Sequence, residues 1–209
     1  MQLEVTTPVE KRAPQQERSR ATRRRLLEST AAALEELGYA RTTTTEVCKR
    51  AGVSQGALFK HFATKADLIA GTTRHVFAGL IADYRLGFAS IDGRGDDVRA
   101  ALALLWETFQ GARLAVVFEL YTAARTDEAL RAALLPVMTE HRENLYAEAG
   151  ALFPEAAARN PNFRTALDAI VMALQGAALA RLAMGNVAVE EPMLAYLERQ
   201  ARTELEETP

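Results

Sequence analysis

From Arg18 onward apolar positions recur every three to four residues, and alternation with a period of two never runs beyond a few residues. The pattern therefore predicts helices and no sheet, an all-α chain. In the first helix Leu27, Thr30, Ala31, Leu34 and Leu37 share one face, and Gly38 suits the left-handed residue that ends such a helix. Thr43 with Glu46 three residues later has the spacing of a capping box and opens a short helix that stops at Gly52. Ser54, another good N-cap, opens a second short helix reaching about His61. After a break at Ala63-Thr64 a long helix starts near Lys65, with Ile69, Thr72, Val76, Leu80, Tyr84 and Phe88 as its buried stripe. The turn cluster Asp92-Gly93-Arg94-Gly95 closes it. Further helices are predicted at about 96–110, 112–124, 127–148, 163–185 and 190–206, with an irregular segment from Phe153-Pro154 to Asn162. No proline occurs between Gln15 and Leu135, and Pro136 falls inside the 127–148 pattern, where it predicts a kink.

Residues 1–17 lack this periodicity and are expected to form a flexible arm. The remainder divides into a head, 18–64, and a larger helical domain, 65–209. The stretch Thr43 to His61, TTTEVCKRAGVSQGALFKH, places two short helices around a glycine-containing turn, which is a helix-turn-helix unit. Val47, Ala51, Val53, Leu58 and Phe62 form the core where the helices cross, and small Cys48 and Ala51 permit close approach. The second helix then presents Ser54, Gln55, Gly56, Ala57, Lys60 and His61 outward, the pattern of a helix that reads the DNA major groove.

Charge sharpens that picture. The whole chain of 209 residues carries a net −2, but residues 1–65 hold 12 Lys+Arg against 7 Asp+Glu, and the rest hold 13 against 20. A basic end on an acidic remainder suits a polyanionic partner at that end only. Arg18, Arg20 and Arg23 are candidates for phosphate or minor-groove contacts. With 49% apolar and 25% charged residues the composition is that of a folded domain. Unbroken apolar runs reach only about six residues, so no membrane span is expected, and no secretory signal opens the chain, which points to the cytoplasm. Cys48 is the single cysteine, which excludes an internal disulfide and any multi-cysteine metal site.

The string resembles the TetR family of bacterial transcriptional regulators. The match runs from Thr22-Arg23-Arg24-Arg25-Leu26-Leu27 through Leu37-Gly38-Tyr39, Thr43, Val47, Ala51-Gly52-Val53-Ser54, Gly56, Leu58-Phe59 and His61-Phe62 to Lys65 and Leu68. The resemblance implies a homodimer with a three-helix DNA-binding head and an all-helical domain that binds a small effector and dimerises through its last two helices. Most such proteins are repressors released from a palindromic operator by the effector. It further implies that Thr43 and Thr44 meet phosphate, that Gln55, Gly56 and Ala57 face base edges, that Phe59, Lys60 and His61 lie along the backbone, and that the Lys65 amide meets a phosphate. Phe59 stands where many members carry tyrosine, so a hydroxyl contact to phosphate is lost and Lys60 or His61 must carry more of the anchoring. Gln55 is the strong base reader by chemistry, with adenine the favoured partner.

In this layout the aromatic stripes of the second domain surround the effector cavity. Trp106, Phe109, Phe118, Tyr121 and Met138 are its candidate walls, and Arg113, Glu119, Arg125, His141 and Gln175 its candidate polar groups; the effector is expected to be hydrophobic or amphipathic. Ile170, Leu174, Ala177, Arg181, Met193, Tyr196 and Leu197 are the expected dimer contacts on the last two helices. An enzyme is disfavoured: His61 belongs to the helix-turn-helix, and neither a nucleophile elbow, a phosphate-cradling loop nor metal-ligand spacing surrounds His75 or His141. No cofactor or metal is expected. An effector-independent regulator and an activator are the alternatives within the same family.

Overall fold

The computed structural model describes residues 12–90, 96–185 and 190–205, with side chains from residue 15 onward. Among the described residues all regular structure is helical. The helices are α1 (Arg12–Arg41), α2 (Thr44–Ala51), α3 (Gln55–His61), α4 (Lys65–Ala89), α5 (Asp97–Phe109), α6 (Ala112–Ala124), α7 (Glu128–Leu152), α8 (Pro154–Arg159), α9 (Phe163–Met184) and α10 (Glu190–Leu205).

Helix α1 begins at Arg12, so the last part of the expected arm is already helical, as a Gln- and Glu-bearing segment readily is. It breaks at Gly38, whose φ of 74° and ψ of 173° lie outside helical space, and one further turn carries the chain to Arg41. At α2 the predicted capping box is only half made. The Thr43 hydroxyl accepts the Glu46 amide at 3.2 Å, but the Glu46 carboxylate turns to Arg50 at 2.8 Å instead of back to the cap. Gly52, with φ 63° and ψ 40°, makes the left-handed turn into α3, and the Ser54 hydroxyl accepts the Ala57 amide. A complete capping box stands at the start of α4, where Thr64 and Asp67 bond reciprocally. Its signal in the sequence was Asp, rather than Glu, three residues after a threonine.

Helix α7 continues through Pro136 to Leu152, past its predicted end. The segment read as irregular after Phe153 contains α8, and Pro154 sits in its first turn, where a missing N–H costs nothing. The turn cluster at 92–95 lies outside the described residues.

Two apolar cores form. Leu26, Leu27, Val47, Cys48, Ala51, Leu58, Phe62 and Leu68 make the core of the head, with Val53 packed against it. The larger core joins α4 to α10 and includes Leu34, Ile69, Phe77, Leu80, Tyr84, Phe118, Leu130 and Leu174. Neighbouring residues of α4, Leu68 and Ile69, thus serve different cores, and α1 does the same with Leu27 and Leu34. Both helices cross from head to body, so neither end can move without them.

Arg99 of α5 pairs with Glu198 of α10 at 3.0 Å, and Arg202 bonds the same carboxylate at 2.9 Å while also pairing with Asp96, which pins α10 to the start of α5. Helix α9 buries Phe163, Ile170, Leu174 and Ala178 but exposes Met172, Leu179, Leu182 and Met184. By length and composition it is apolar enough to cross a membrane, although no unbroken apolar run in it would show this.

Candidate functional site

In the head, α3 is held by burial of Leu58 and by its Ser54 cap, and it turns Gln55, Gly56, Phe59 and Lys60 to solvent. Ala57 and His61 are half-exposed beside them. The Gln55 amide nitrogen donates to the Thr45 hydroxyl at 2.9 Å, which braces this side chain against α2 and leaves its oxygen and second N–H available. The first turns of α1 run alongside α3, so that Arg18, Ser19, Thr22, Lys60 and His61 border one open groove. Thr43 and Ser54 are exposed, and their hydroxyls accept amides of their own helices, leaving each O–H free to donate. Thr44 is half-buried at the first position of α2.

Two cationic residues expected at DNA are partly committed within the protein. The Arg23 guanidinium lies 5.0 Å over the Phe62 ring. The Lys65 ammonium turns inward, 3.3 Å from the Tyr39 carbonyl oxygen and 4.3 Å from the Tyr39 ring centroid. Burial lowers the Lys65 pKa, with the Asp127 charge opposing. Its backbone amide, in the first turn of α4, has no partner within the helix and remains the group suited to a phosphate.

Lys65 belongs to a polar clasp between head and body. At the Gly38 break the Tyr39 amide donates to Glu119 of α6 at 2.7 Å. The Tyr39 hydroxyl donates to Asp127 at 2.9 Å, and Asp127 also caps α7 by accepting the Leu130 amide. Burial, followed by the Asp127 bond and charge, pushes the Tyr39 hydroxyl up to about 12. Glu119, expected at the effector cavity, faces the head instead. It lies two residues from Tyr121, on the other side of its helix.

Behind the clasp, α4, α5, α6, α7 and α9 line a cavity of about 320 Å³ that opens to solvent past Leu135 and Met172. Of the expected effector residues, Tyr121, Met138, His141 and Gln175 line it. Phe109 and Phe118 do not, because they are consumed in the body core, and Trp106 is half-buried against that core. Arg113 is exposed on α6 and pairs with Asp83 at 3.2 Å. Arg125, the C-cap of α6, is not among the lining residues.

Sequence reasoning missed Arg142 and Asp168, both in the wall. Their signal was a charge inside an otherwise apolar stripe. His141 stacks flat on Phe77, with centroids 3.7 Å apart and planes 6° from parallel. Its Nδ1 is buried with no hydrogen-bond partner among the described residues, and burial lowers its pKa to about 4, so the ring is neutral. Opposite, the buried Tyr146 hydroxyl donates to Asp168 Oδ1 at 2.7 Å.

Residues 26–72 match the family model described as bacterial regulatory proteins, tetR family. An HTH-type transcriptional regulator of Mycobacterium tuberculosis H37Rv, Rv2912c, is 34% identical over 186 residues, covering 88% of this chain and 95% of the relative. The chain belongs to the TetR family. It is thus a transcriptional regulator with a helix-turn-helix head, and not an enzyme.

CymR of Pseudomonas putida is 30% identical to this regulator over 132 residues, 63% of this chain and 65% of the relative. Among solved structures, the multidrug binding protein EbrR complexed with ethidium is 26% identical with a TM-score of 0.68, covering 86% of this chain and 98% of that one.

The expected dimer residues of this TetR-family chain separate into two groups. Ile170, Leu174 and Leu197 are buried within the monomer, and Met193 packs on the same core. Arg181 bonds Glu190 across the α9–α10 corner at 2.9 Å. Tyr196, 53% exposed, is the most open of them, and Ala177, Arg181 and Met193 are half-buried. Both sides of α9 are small and apolar, so periodicity alone could not say which one turns into the monomer core.

Proposed function

We propose that this regulator is a homodimeric repressor, acting in the cytoplasm, that grips a pseudo-palindromic operator with α3 and lets go when a small molecule fills the cavity behind Tyr121 and His141. The observation that carries this is the clasp. Tyr39 follows the Gly38 break in the head's first helix and is bonded to α6 and to the cap of α7, the two helices that supply Tyr121, Met138 and His141 to the cavity. An occupant that parts α6 from α7 pulls on the head through Tyr39 and through α4, which serves both cores. A 100-fold loss of operator affinity requires ~2.7 kcal/mol of coupling, within the usual ~1–3 kcal/mol.

The dimer face follows from what α9 leaves uncovered. Ala169, Met172, Gly176, Leu179 and Ala183 form an exposed stripe at spacings of three and four, flanked by Leu182 and by Tyr196 of α10. Nothing lies within 4 Å of the position a side chain would take at Gly176, so a second helix has room there. Pairing α9 and α10 with their copies across a two-fold axis makes a four-helix bundle with an isologous interface. EbrR, bound to ethidium or proflavin, supplies a precedent for a ligand-holding body of this shape.

The test is a two-way titration. Compounds that displace the labelled operator are measured again with operator saturating, and reciprocity requires the same factor in both directions. Compounds whose binding disappears in Leu145→Trp, which fills the cavity, but which leave operator affinity unchanged would overturn the release mechanism.

A further inference from the structure

The cavity carries a carboxylate on its wall that no protein cation pairs with among the described residues. Asp168 is half-buried, one of its oxygens is fixed by the Tyr146 hydroxyl, and the other has no hydrogen bond among the described residues. No ion pair reaches it among those residues. That second oxygen is not sealed off by protein atoms, so a donor that enters the cavity can reach it and form a charge-assisted bond.

The other charges nearby are accounted for. Arg142 lines the same cavity but is exposed, so water serves it, and no bond joins it to Asp168. Arg164 lies 4.7 Å over the Tyr146 ring and is matched by Glu143 at 3.1 Å. The remaining wall is neutral: Tyr121, Met138, Leu145, Val171 and Met172, with His141 uncharged and lying flat. Flat walls at the small end of the ~300–1,000 Å³ range of ligand sites suit a compact planar molecule.

We propose that the cavity selects a small, flat organic cation, whose N–H donates to the free oxygen of Asp168 while its ring body lies between Tyr121, Met138 and His141. This rests on the cavity being the effector site. The bond to Asp168 is charge-assisted, and the aromatic faces of Tyr121 and Tyr146 favour a cation over an anion of the same shape. Tyr146 acts as a positioning residue that holds the carboxylate toward the ligand.

Three fluorescent probes with one ring system separate shape from charge: proflavin as the cation, acridine as the neutral form and acridine-9-carboxylate as the anion, all at mildly alkaline pH. The expected order is proflavin tightest, by about tenfold or more over acridine, with the anion weakest. In Asp168→Asn the advantage of proflavin over acridine falls to about one. Tyr146→Phe, checked by a thermal melt alongside it, reduces the same ratio part of the way. A tightest-binding anion, or a proflavin advantage that survives Asp168→Asn, overturns the charge assignment while leaving the effector site intact. Failure of all three probes to bind, or binding unaffected by Leu145→Trp, instead removes the effector site and this inference with it.

Discussion

Replacing Gly38 with alanine strikes the joint between head and body. The observed φ of 74° with ψ of 173° belongs to a region that is essentially glycine's alone, and holding another residue there costs ~1–3 kcal/mol. A Cβ at this position would also stand 2.8 Å from Glu119 Oε1, the atom that accepts the Tyr39 amide. The carboxylate must move and the bond is lost. Because Glu119 is solvent-exposed, that bond is worth about 1 kcal/mol, the value of an ordinary hydrogen bond and less than a buried charged acceptor would give. The sum is about 2–4 kcal/mol, measured by urea unfolding of the full chain. A second background separates the two contributions. In Glu119→Ala the bond is already absent, so Gly38→Ala costs only its backbone part, about 1 kcal/mol less than in the wild type. Equal costs in both backgrounds would show that Glu119 does not read the Gly38 break. A total cost below about 0.5 kcal/mol would show that the break itself is not required.

Other outcomes follow from the same geometry. Gln55→Ala is expected to relax base choice at one position of each half-site by ~1–3 kcal/mol, while Lys60→Ala weakens all sequences alike and flattens the salt dependence by about one unit; selection from randomised operators distinguishes them. His141 has its folded pKa lowered to about 4 from an ordinary 6.5, so between these values the unfolded chain binds more protons. Stability from this group is therefore complete above pH 6.5 and is lost as pH falls toward 4, by about 3.5 kcal/mol at most given ~1.4 kcal/mol per pKa unit. Urea midpoints across that range should lose much of their slope in His141→Phe. Leu179→Glu places a charge in the exposed α9 stripe and should yield monomers by analytical ultracentrifugation, whereas an unchanged dimer would move the interface elsewhere.

The head was legible because its signals are local. Thr43, Gly52 and Ser54 punctuate the chain within one turn of where they act, and the apolar set Val47, Ala51, Leu58 and Phe62 admits one way of crossing two short helices. The body was legible as helices but not as surfaces. Phe118 shares a stripe with Tyr121, and Phe109 one with Trp106, and only the packing of α5 and α6 in the body decides which rings fill the core and which face the cavity. On α9, Leu174 and Met172 are equally apolar two residues apart, yet one is buried and the other 63% exposed. Glu119 and Asp127 could not be assigned from sequence, because their partner, Tyr39, lies about eighty or more positions away and meets them only through the break at Gly38. Pro136, read as a kink, lies inside α7, which continues on both sides of it.

Selection of genomic DNA by the purified chain at physiological salt, run in parallel with Gln55→Ala, tests the central claim most directly. A sequence-reading dimer predicts one enriched pseudo-palindrome whose half-sites lie ~34–36 Å apart, a single turn of the duplex, or a multiple of it. In the variant the preference should relax at one symmetric pair of positions. Enrichment of nothing above background, or of a motif that Gln55→Ala leaves unchanged at every position, would contradict the assignment of α3 as the helix that reads DNA.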